Sequence, residues 1–234
     1  MKKYDVVYIL KKDIEPEELR YSIRSVVKNF PYNRIVFAGG KPEGIEPDKY
    51  IKVKQIGFDR YEKVNYTIEQ VCKDEDLTED FWLFNDDFFI MDKIKDMPHF
   101  FRGSITKRIY DITKIYGPMG GYVRAHMTTR DYLERKGYDI LDYDLHVPML
   151  VNRKAALEVL EQHPNIKLFR SLYGNVLQIG GQQMNDCKIY DTITEPDEDS
   201  LFLSTLDRSF QRGKVGEYIR NDLIVPTKYE GWDS

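Results

Sequence analysis

The sequence predicts an α/β fold with a mostly parallel sheet flanked by helices, and three observations support this. Short continuous apolar runs rich in β-branched residues are typical of strands buried on both faces. The segments between them repeat their apolar residues at helical spacing, and such alternation favours a parallel sheet. Glycines or acidic residues directly follow two of the runs, where the carboxyl ends of parallel strands gather ligands.

In the first half of the chain, strands and helices alternate. The run "YDVVYIL" at 4–10 predicts the first strand, and a helix follows at 15–30. Pro16 and acidic residues open this helix, as helix N-termini prefer. The next elements are two strands, a helix, and a strand broken by an acidic pair, at 34–40, 50–57, 61–74 and 80–91.

The second half predicts a mixed α+β arrangement. Residues 105–139 have a helical pattern with a Gly/Pro turn at 117–121. Another helix begins near Arg153, with Asn152 as its N-cap. The remaining segments are a loop at 174–185 and, within 195–223, a short strand, a loop and a helix from about Lys214.

Composition argues against several classes of protein. The net charge of −4 gives no global basicity of the kind that points to nucleic acid. Two cysteines without paired spacing, Cys72 and Cys187, argue against a disulfide framework or a zinc site and favour a reducing compartment. The apolar run near the N-terminus is too short for a signal peptide or a membrane span. We therefore expect a cytoplasmic protein without a membrane span.

Polar residues at two predicted strand ends mark a candidate site. Gly39 and Gly40 end one strand, and Asn85, Asp86 and Asp87 interrupt another between "FWLF" and "FFIM". Two carboxylates beside a buried strand need compensation, which a divalent cation and an anionic ligand would supply. Mn²⁺ and Mg²⁺ prefer such oxygen ligands. The alternative is a simple turn, since Asn and Asp favour turns.

Two further groups of residues are candidates for the same chemistry. Arg20 and Arg24 lie four apart on one helix face and could hold a diphosphate, or could face solvent with acidic partners. His146 follows an acidic and aromatic cluster, and Asp142 or Asp144 could orient its imidazole for acid/base catalysis. A structural histidine is the alternative at that position.

Several motifs in this order resemble the Stealth family of capsular polysaccharide phosphotransferases. The matching pieces are "DVVYIL", "ELRYSIRSVVKNFPYNRIVFAGGKPEGI", "KVNYTIEQV" and "FWLFNDDFFIM", with a weaker match at "HVP" around His146. The order is kept over roughly residues 4–170. The resemblance implies one GT-A-like, Rossmann-type domain over 1–234. Residues 1–92 would bind the nucleotide sugar and metal, and 93–234 would form the acceptor side.

The resemblance also implies roles for individual residues. Asp86 and Asp87 would be the metal ligands, with Asp87 also catalytic, and His146 and Arg170 would be the other catalytic residues. The residues expected to bind the donor are Arg20, Arg24, Gly39, Gly40, Lys63, Asn65, Asn85, Asp86 and Lys214. For Lys214 the alternative is a place in a capped C-terminal helix, where Gly213 and Gly216 permit a tight turn.

Departures from the family pattern favour transfer of the sugar itself. The first strand continues as "YILKKD" where the family has "YTWVDG", and "KVN" replaces "FNS". We therefore expect a metal-dependent transferase that moves a glycosyl group from a nucleotide sugar, UDP by default, to an acceptor hydroxyl. The alternatives are sugar-1-phosphate transfer with release of UMP, an inactive nucleotide- or carbohydrate-binding module and, ranked last, a metal phosphoesterase.

The identity of the acceptor is open at this stage. A glycan, a polyol-phosphate polymer, a protein and a modified nucleobase in DNA would all offer a hydroxyl or equivalent nucleophile. The acidic composition argues mildly against polyanionic acceptors, so a nucleic-acid acceptor is not indicated.

Overall fold

A computed structural model describes residues 2–231 of the chain and shows strands and helices alternating through the first half. The first half contains β1 (Tyr4–Leu10), α1 (Pro16–Asn29), β2 (Tyr32–Gly39), β3 (Lys49–Ile51), α2 (Arg60–Lys73), β4 (Asp80–Phe84) and β5 (Phe88–Ile90). The second half contains β6 (Phe100–Phe101), α3 (Ile105–Tyr116), α4 (Gly121–Lys136), β7 (Met149–Asn152), α5 (Arg153–Gln162), α6 (Phe169–Val176), β8 (Gln182–Gln183), β9 (Lys188–Ile189), β10 (Phe202–Thr205), α7 (Asp207–Arg212) and α8 (Lys214–Asp222).

The central sheet has the strand order β3-β2-β1-β4-β7. Its first four strands run parallel, and β7 lies antiparallel to β4 at the edge. Val7 of β1 pairs with Val36 of β2 on one side and with Leu83 of β4 on the other, so β1 lies between these two parallel strands. The predicted α/β fold with a mostly parallel sheet is confirmed.

Both faces of the central sheet are covered, which explains why its strands are continuous apolar runs. Val6 and Tyr8 of β1 pack with Leu19 of α1 in one buried cluster. Val7 packs with Ile68 of α2 in the cluster on the opposite face. Alternate residues of one strand thus serve two cores, as expected for a sheet sandwiched between helices.

A second sheet, of the order β5-β10-β9, brings the end of the chain to the acidic segment. After β4 the chain leaves the central sheet at 85–87 and enters β5, which pairs antiparallel with β10. β9 then pairs parallel with β10, with Lys188 opposite Ser204. Residues separated by about a hundred positions in sequence therefore meet at Asp87.

Three predicted elements differ from the structure. The predicted loop before Lys214 is instead the short helix α7. The predicted strand at 50–57 is only β3, because Ile51 pairs with Ala38 near the end of β2 and the following residues have no partner strand. The predicted loop at 174–185 begins inside α6 and contains the two-residue β8. The turn at 117–121 separates α3 from α4 as predicted, and Asn152 caps α5 by accepting from the Ala155 amide at 3.1 Å.

None of the helices within residues 2–231 combines the length and apolar character that crossing a membrane requires.

Candidate active site

A cleft of about 640 Å³ opens at the carboxyl ends of β1 and β4. Leu10 and Lys11 at the end of β1, and Asn85 and Asp86 at the end of β4, form its floor. Six basic side chains line the cleft, namely Lys11, Arg60, Lys63, Lys167, Arg170 and Lys188. Of the carboxylates in the described part of the chain, only Asp86 and Asp144 line it with them. The cleft is therefore basic within an acidic protein.

The glycine pair at the end of β2 packs against the backbone of Leu10 and Lys11, which form part of the floor. Gly39 has a φ of +99°, and a Cβ there would lie 2.5 Å from the Leu10 carbonyl oxygen. A Cβ on Gly40 would lie 2.1 Å from the Lys11 carbonyl oxygen, and the Gly40 amide donates to Leu10 at 2.9 Å. The glycines thus permit close approach of two chain segments and position Lys11, but they do not line the cleft.

Asp86 faces the cleft with no ion-pair partner among residues 2–231. Burial, together with the neighbouring charge of Asp87, raises the pKa of Asp86 to about 6, against the opposing effect of Lys11 and Lys188. A part-buried carboxylate held in this way is costly, so a role with a ligand is the natural reason to retain it.

Asp87 does not line the cleft and is already paired. Lys188 donates to its Oδ2 at 2.6 Å, and the Ser204 hydroxyl donates to the same oxygen at 3.2 Å. The two side chains of this ion pair are only 10% and 14% exposed.

Next to this ion pair, Thr205 donates to the buried Glu18 at 2.7 Å. Burial raises the pKa of Glu18 to about 7, and the charges of Asp87 and Asp86 add to the rise.

The residues present do not fit the predicted divalent-ion site of Asp86 and Asp87. One carboxylate faces the cleft, and the other is neutralised by an ammonium that lines the same cleft. Within 2–231, no cluster of three or more His, Cys, Asp and Glu side chains is arranged to hold a metal. A requirement for Mn²⁺ or Mg²⁺, with Asp86 and Asp87 as its ligands, therefore stays a prediction.

His146 lines the cleft and is oriented by a residue that the sequence did not indicate. Asp186, rather than Asp142 or Asp144, accepts from the His146 ring at Nδ1, at 2.9 Å and 3.0 Å for its two oxygens. It also accepts from the His146 amide at 3.2 Å. With the proton on Nδ1, the Nε2 lone pair is the one available to the cleft.

Asp186 is held ionised by its neighbours. Burial alone would raise the pKa of Asp186, but the hydrogen bond and charge of His146 and the charge of Arg102 lower it to about 2. Arg102 donates to Asp186 at 2.6 Å. Arg102, Asp186 and His146 therefore form a chain of a guanidinium, a carboxylate and an imidazole. A carboxylate that orients an imidazole in this way is typical of a general base and its positioning group.

Arg170 supplies a fixed and largely buried positive charge to the wall of the cleft. It is 8% exposed, donates to the Val147 carbonyl at 2.6 Å, and lies over the Phe88 ring at 5.2 Å from the centroid. Burial lowers the pKa of Arg170 to about 10, against the opposing charges of Asp144 and Asp87. The side chain remains protonated at neutral pH.

The structure brings together some of the predicted site residues and not others. The predicted residues that line the cleft are Lys63, Asn65, Asn85, Asp86, His146 and Arg170. Arg24 lies outside it and makes a bidentate pair with Glu230 at 2.8 Å and 2.5 Å, with Arg20 3.7 Å from the same carboxylate. Lys214 also lies outside and pairs with the exposed Glu195. Their assignment to the donor stays a prediction without geometric support.

Sequence reasoning missed Lys188, Tyr116 and Tyr190 of the cleft, and it missed Asp186, which orients His146. Lys188 and Asp186 lie in a segment of loops and two-residue strands, where no periodicity marks them. Tyr116 and Tyr190 line the mouth and are about half exposed, at 52% and 48%. The abundance of tyrosine was the one available signal, and it does not locate a site.

The mostly parallel sheet flanked by helices, with its cleft at the strand carboxyl ends, matches the fold of GT-A glycosyltransferases among solved structures. Among solved structures, a galactosyltransferase, LgtC, in complex with donor and acceptor sugar analogs is similar over 96% of both chains, with a TM-score of 0.50 and 11% identity. At this identity the likeness shows the fold alone.

Two weaker likenesses were found to other solved structures. One is an active-site mutant of LgtC, with a TM-score of 0.42, 12% identity, and coverage of 81% of this chain and 75% of that one. The other is a glycosyltransferase involved in glycosylation of the major capsid of PBCV-1, with a TM-score of 0.37, 13% identity, and coverage of 94% and 100%. No protein-family model and no curated protein sequence matches the chain, so membership of the Stealth family stays a prediction.

Proposed function

We propose that this protein is a glycosyltransferase that moves a sugar from a nucleotide-sugar donor to an acceptor hydroxyl. The observation that carries this proposal is the basic cleft at the carboxyl ends of β1 and β4 in a protein of net charge −4. Such a cleft attracts and holds a diphosphate by focusing positive charge at one place. The fold shared with a galactosyltransferase supports the same proposal.

The leaving group of this reaction is a nucleoside diphosphate, which gains negative charge as the bond to the sugar breaks. Lys11, Lys188 and Arg170, which all line the cleft, would offset this charge. Arg170 is already fixed by carbonyl groups, so it needs no reorganisation when the charge develops. We take UDP as the default nucleotide.

His146 would act as the general base toward the acceptor. Its Nε2 takes the proton of the acceptor hydroxyl as the oxygen attacks the anomeric carbon, and Asp186 stabilises the imidazolium that forms. Tyr116 and Tyr190 at the mouth of the cleft present half-exposed rings to an incoming acceptor. Aromatic faces with a polar tip suit a glycan, which has both apolar and hydroxyl-bearing edges.

Sugar-1-phosphate transfer is the second candidate, because the pairing of His146 with Asp186 would serve an attack on phosphorus equally well. The motif resemblance to the Stealth family favours it, and the altered "YILKKD" segment opposes it. The two reactions differ in the nucleotide that is released. Attack at the anomeric carbon releases UDP, and attack at the β-phosphorus releases UMP.

The experiment incubates the protein with a panel of UDP-sugars and candidate glycan acceptors, and separates the released nucleotides by ion-exchange chromatography. We expect UDP to accumulate in an acceptor-dependent manner. UMP would establish the second candidate instead. If the wild-type protein binds UDP in calorimetry yet releases neither nucleotide, the protein would be an inactive nucleotide-binding module, which is the remaining alternative from the sequence.

A further inference from the structure

We propose that Lys188, together with Lys11, neutralises the donor's diphosphate at the place where Asp86 and Asp87 were expected to hold a divalent ion. The nucleotide would then bind without any metal. This inference rests on the proposed function, because it concerns how the same cleft holds its donor. It departs from the metal requirement that the sequence predicts.

The ammonium of Lys188 already occupies the position of a cation beside the acidic pair. It donates to Asp87 at 2.6 Å and lines the cleft next to Asp86. The register of β9 with β10 puts Lys188 directly opposite Ser204, whose hydroxyl bonds the same Asp87 oxygen. The ammonium is therefore held in place by β9, by the neighbouring β10 and by Asp87 in the segment after β4.

A divalent ion held by both Asp86 and Asp87 would have to displace the Lys188 ammonium from Asp87 or bind close beside it. Asp87 would have to release Lys188, which is only 10% exposed and would lose its charge partner. The like charges of ion and ammonium would repel strongly at the short distances involved. A lysine that stays paired with Asp87 and turns its other N–H groups to the ligand avoids both costs.

Lys11 adds a second ammonium group to the cleft near Asp86. It follows β1 directly, lines the cleft, and pairs with no carboxylate among residues 2–231. Its charge and that of Lys188 both act on Asp86. A diphosphate between the two ammonium groups would meet two positive charges, as many as one divalent ion supplies, and Asp86 would remain free to orient a donor hydroxyl.

The test is isothermal titration of UDP, and of GDP in parallel, against the wild-type protein in 1 mM EDTA and again with Mn²⁺. Removing Lys188 alone leaves the Asp87 carboxylate unpaired and part-buried, so the folding-safe variant is the double substitution Asp87→Asn with Lys188→Met. Lys154→Met is the matched control, since Lys154 makes an exposed ion pair with Glu79 outside the cleft. Thermal melting verifies that each variant is folded.

We expect the wild-type Kd for UDP or GDP in EDTA to lie within about threefold of that in Mn²⁺. We expect the double variant to bind at least tenfold more weakly in both buffers, and Lys154→Met to match wild type. Binding by wild type only with Mn²⁺, or full affinity in the folded double variant, would overturn the inference and leave the proposed function standing. Absence of binding to either nucleotide in both buffers would overturn both.

Discussion

Replacing Asp186 with Asn tests the most specific chemical feature of the cleft. The substitution keeps the size of the side chain and removes its negative charge. An amide also presents an N–H group to the His146 ring, which then carries its proton on Nε2. The ring nitrogen that faces the acceptor would become a donor and could no longer remove a proton. Asp186 is thus a positioning residue whose loss should disable the base.

The magnitude follows from the two roles of Asp186. General-base catalysis contributes about 10²- to 10⁴-fold, so kcat should fall by that factor. Asp186 also accepts a charge-assisted bond from Arg102 at 2.6 Å. Weakening that bond should cost about 2 kcal/mol of unfolding free energy, or roughly 4–8 °C in the melting temperature of a chain this long. Because neither effect touches the phosphate-binding lysines, the KM for the donor should stay within about threefold.

The assay is acceptor-dependent nucleotide release under saturating and limiting donor, with melting curves on the same samples. Asp199→Asn is the control, because Asp199 is exposed in a loop outside the cleft and the substitution removes the same charge. A folded Asp186→Asn variant whose kcat lies within threefold of wild type would refute the reasoning. The reasoning would also be refuted if kcat were unchanged and the entire fall in kcat/KM came from a higher KM for the donor. A purely structural defect of the cleft would give that result.

Three further predictions concern the surroundings of the cleft. Folding raises the pKa of Glu18 to about 7, so the stability that its neutral form provides is lost as pH rises from about 4.3 through 7. Glu18→Gln should therefore melt roughly 3–8 °C above wild type at pH 8.5 and equal it at pH 4, and a lower melting point at pH 8.5 would contradict this. Gly40→Ala, whose Cβ would meet a carbonyl oxygen at 2.1 Å, should lower both melting temperature and UDP affinity, whereas Gly121→Ala, with nothing within 4 Å, should lower neither. Arg24→Met should lower the melting temperature by removing its pair with Glu230 and leave UDP affinity intact, and loss of affinity at unchanged stability would restore its sequence-based assignment to the donor.

The parallel core was predictable because each of its features is local in sequence. The central residues of β1, β2 and β4 form apolar runs because both faces of the sheet are buried, and Asn152 caps α5 through the nearby Ala155 amide. The end of β3 was not predictable in this way. It depends on where β2 stops pairing, which is a property of two segments together.

The cleft was predictable only in part, for the same reason. Asp86 stands at the end of a recognisable strand, so its place in the cleft followed from the pattern. Lys188 reaches the cleft through the two-residue strand β9, and Asp186 reaches His146 from the loop before it, and no local pattern specifies these contacts. Arg24 has the spacing of a phosphate ligand, yet Glu230 binds it, because the end of the chain folds back onto α1.

The central claim is that the basic cleft at the ends of β1 and β4 holds a nucleotide-sugar diphosphate. A crystal structure of the protein grown with UDP and a non-transferable UDP-sugar, in EDTA, tests it most directly. The account predicts the diphosphate within about 4 Å of the ammonium groups of Lys11 and Lys188, with the anomeric carbon toward His146. A diphosphate bound outside the cleft, for example against Arg20 and Arg24, would contradict it.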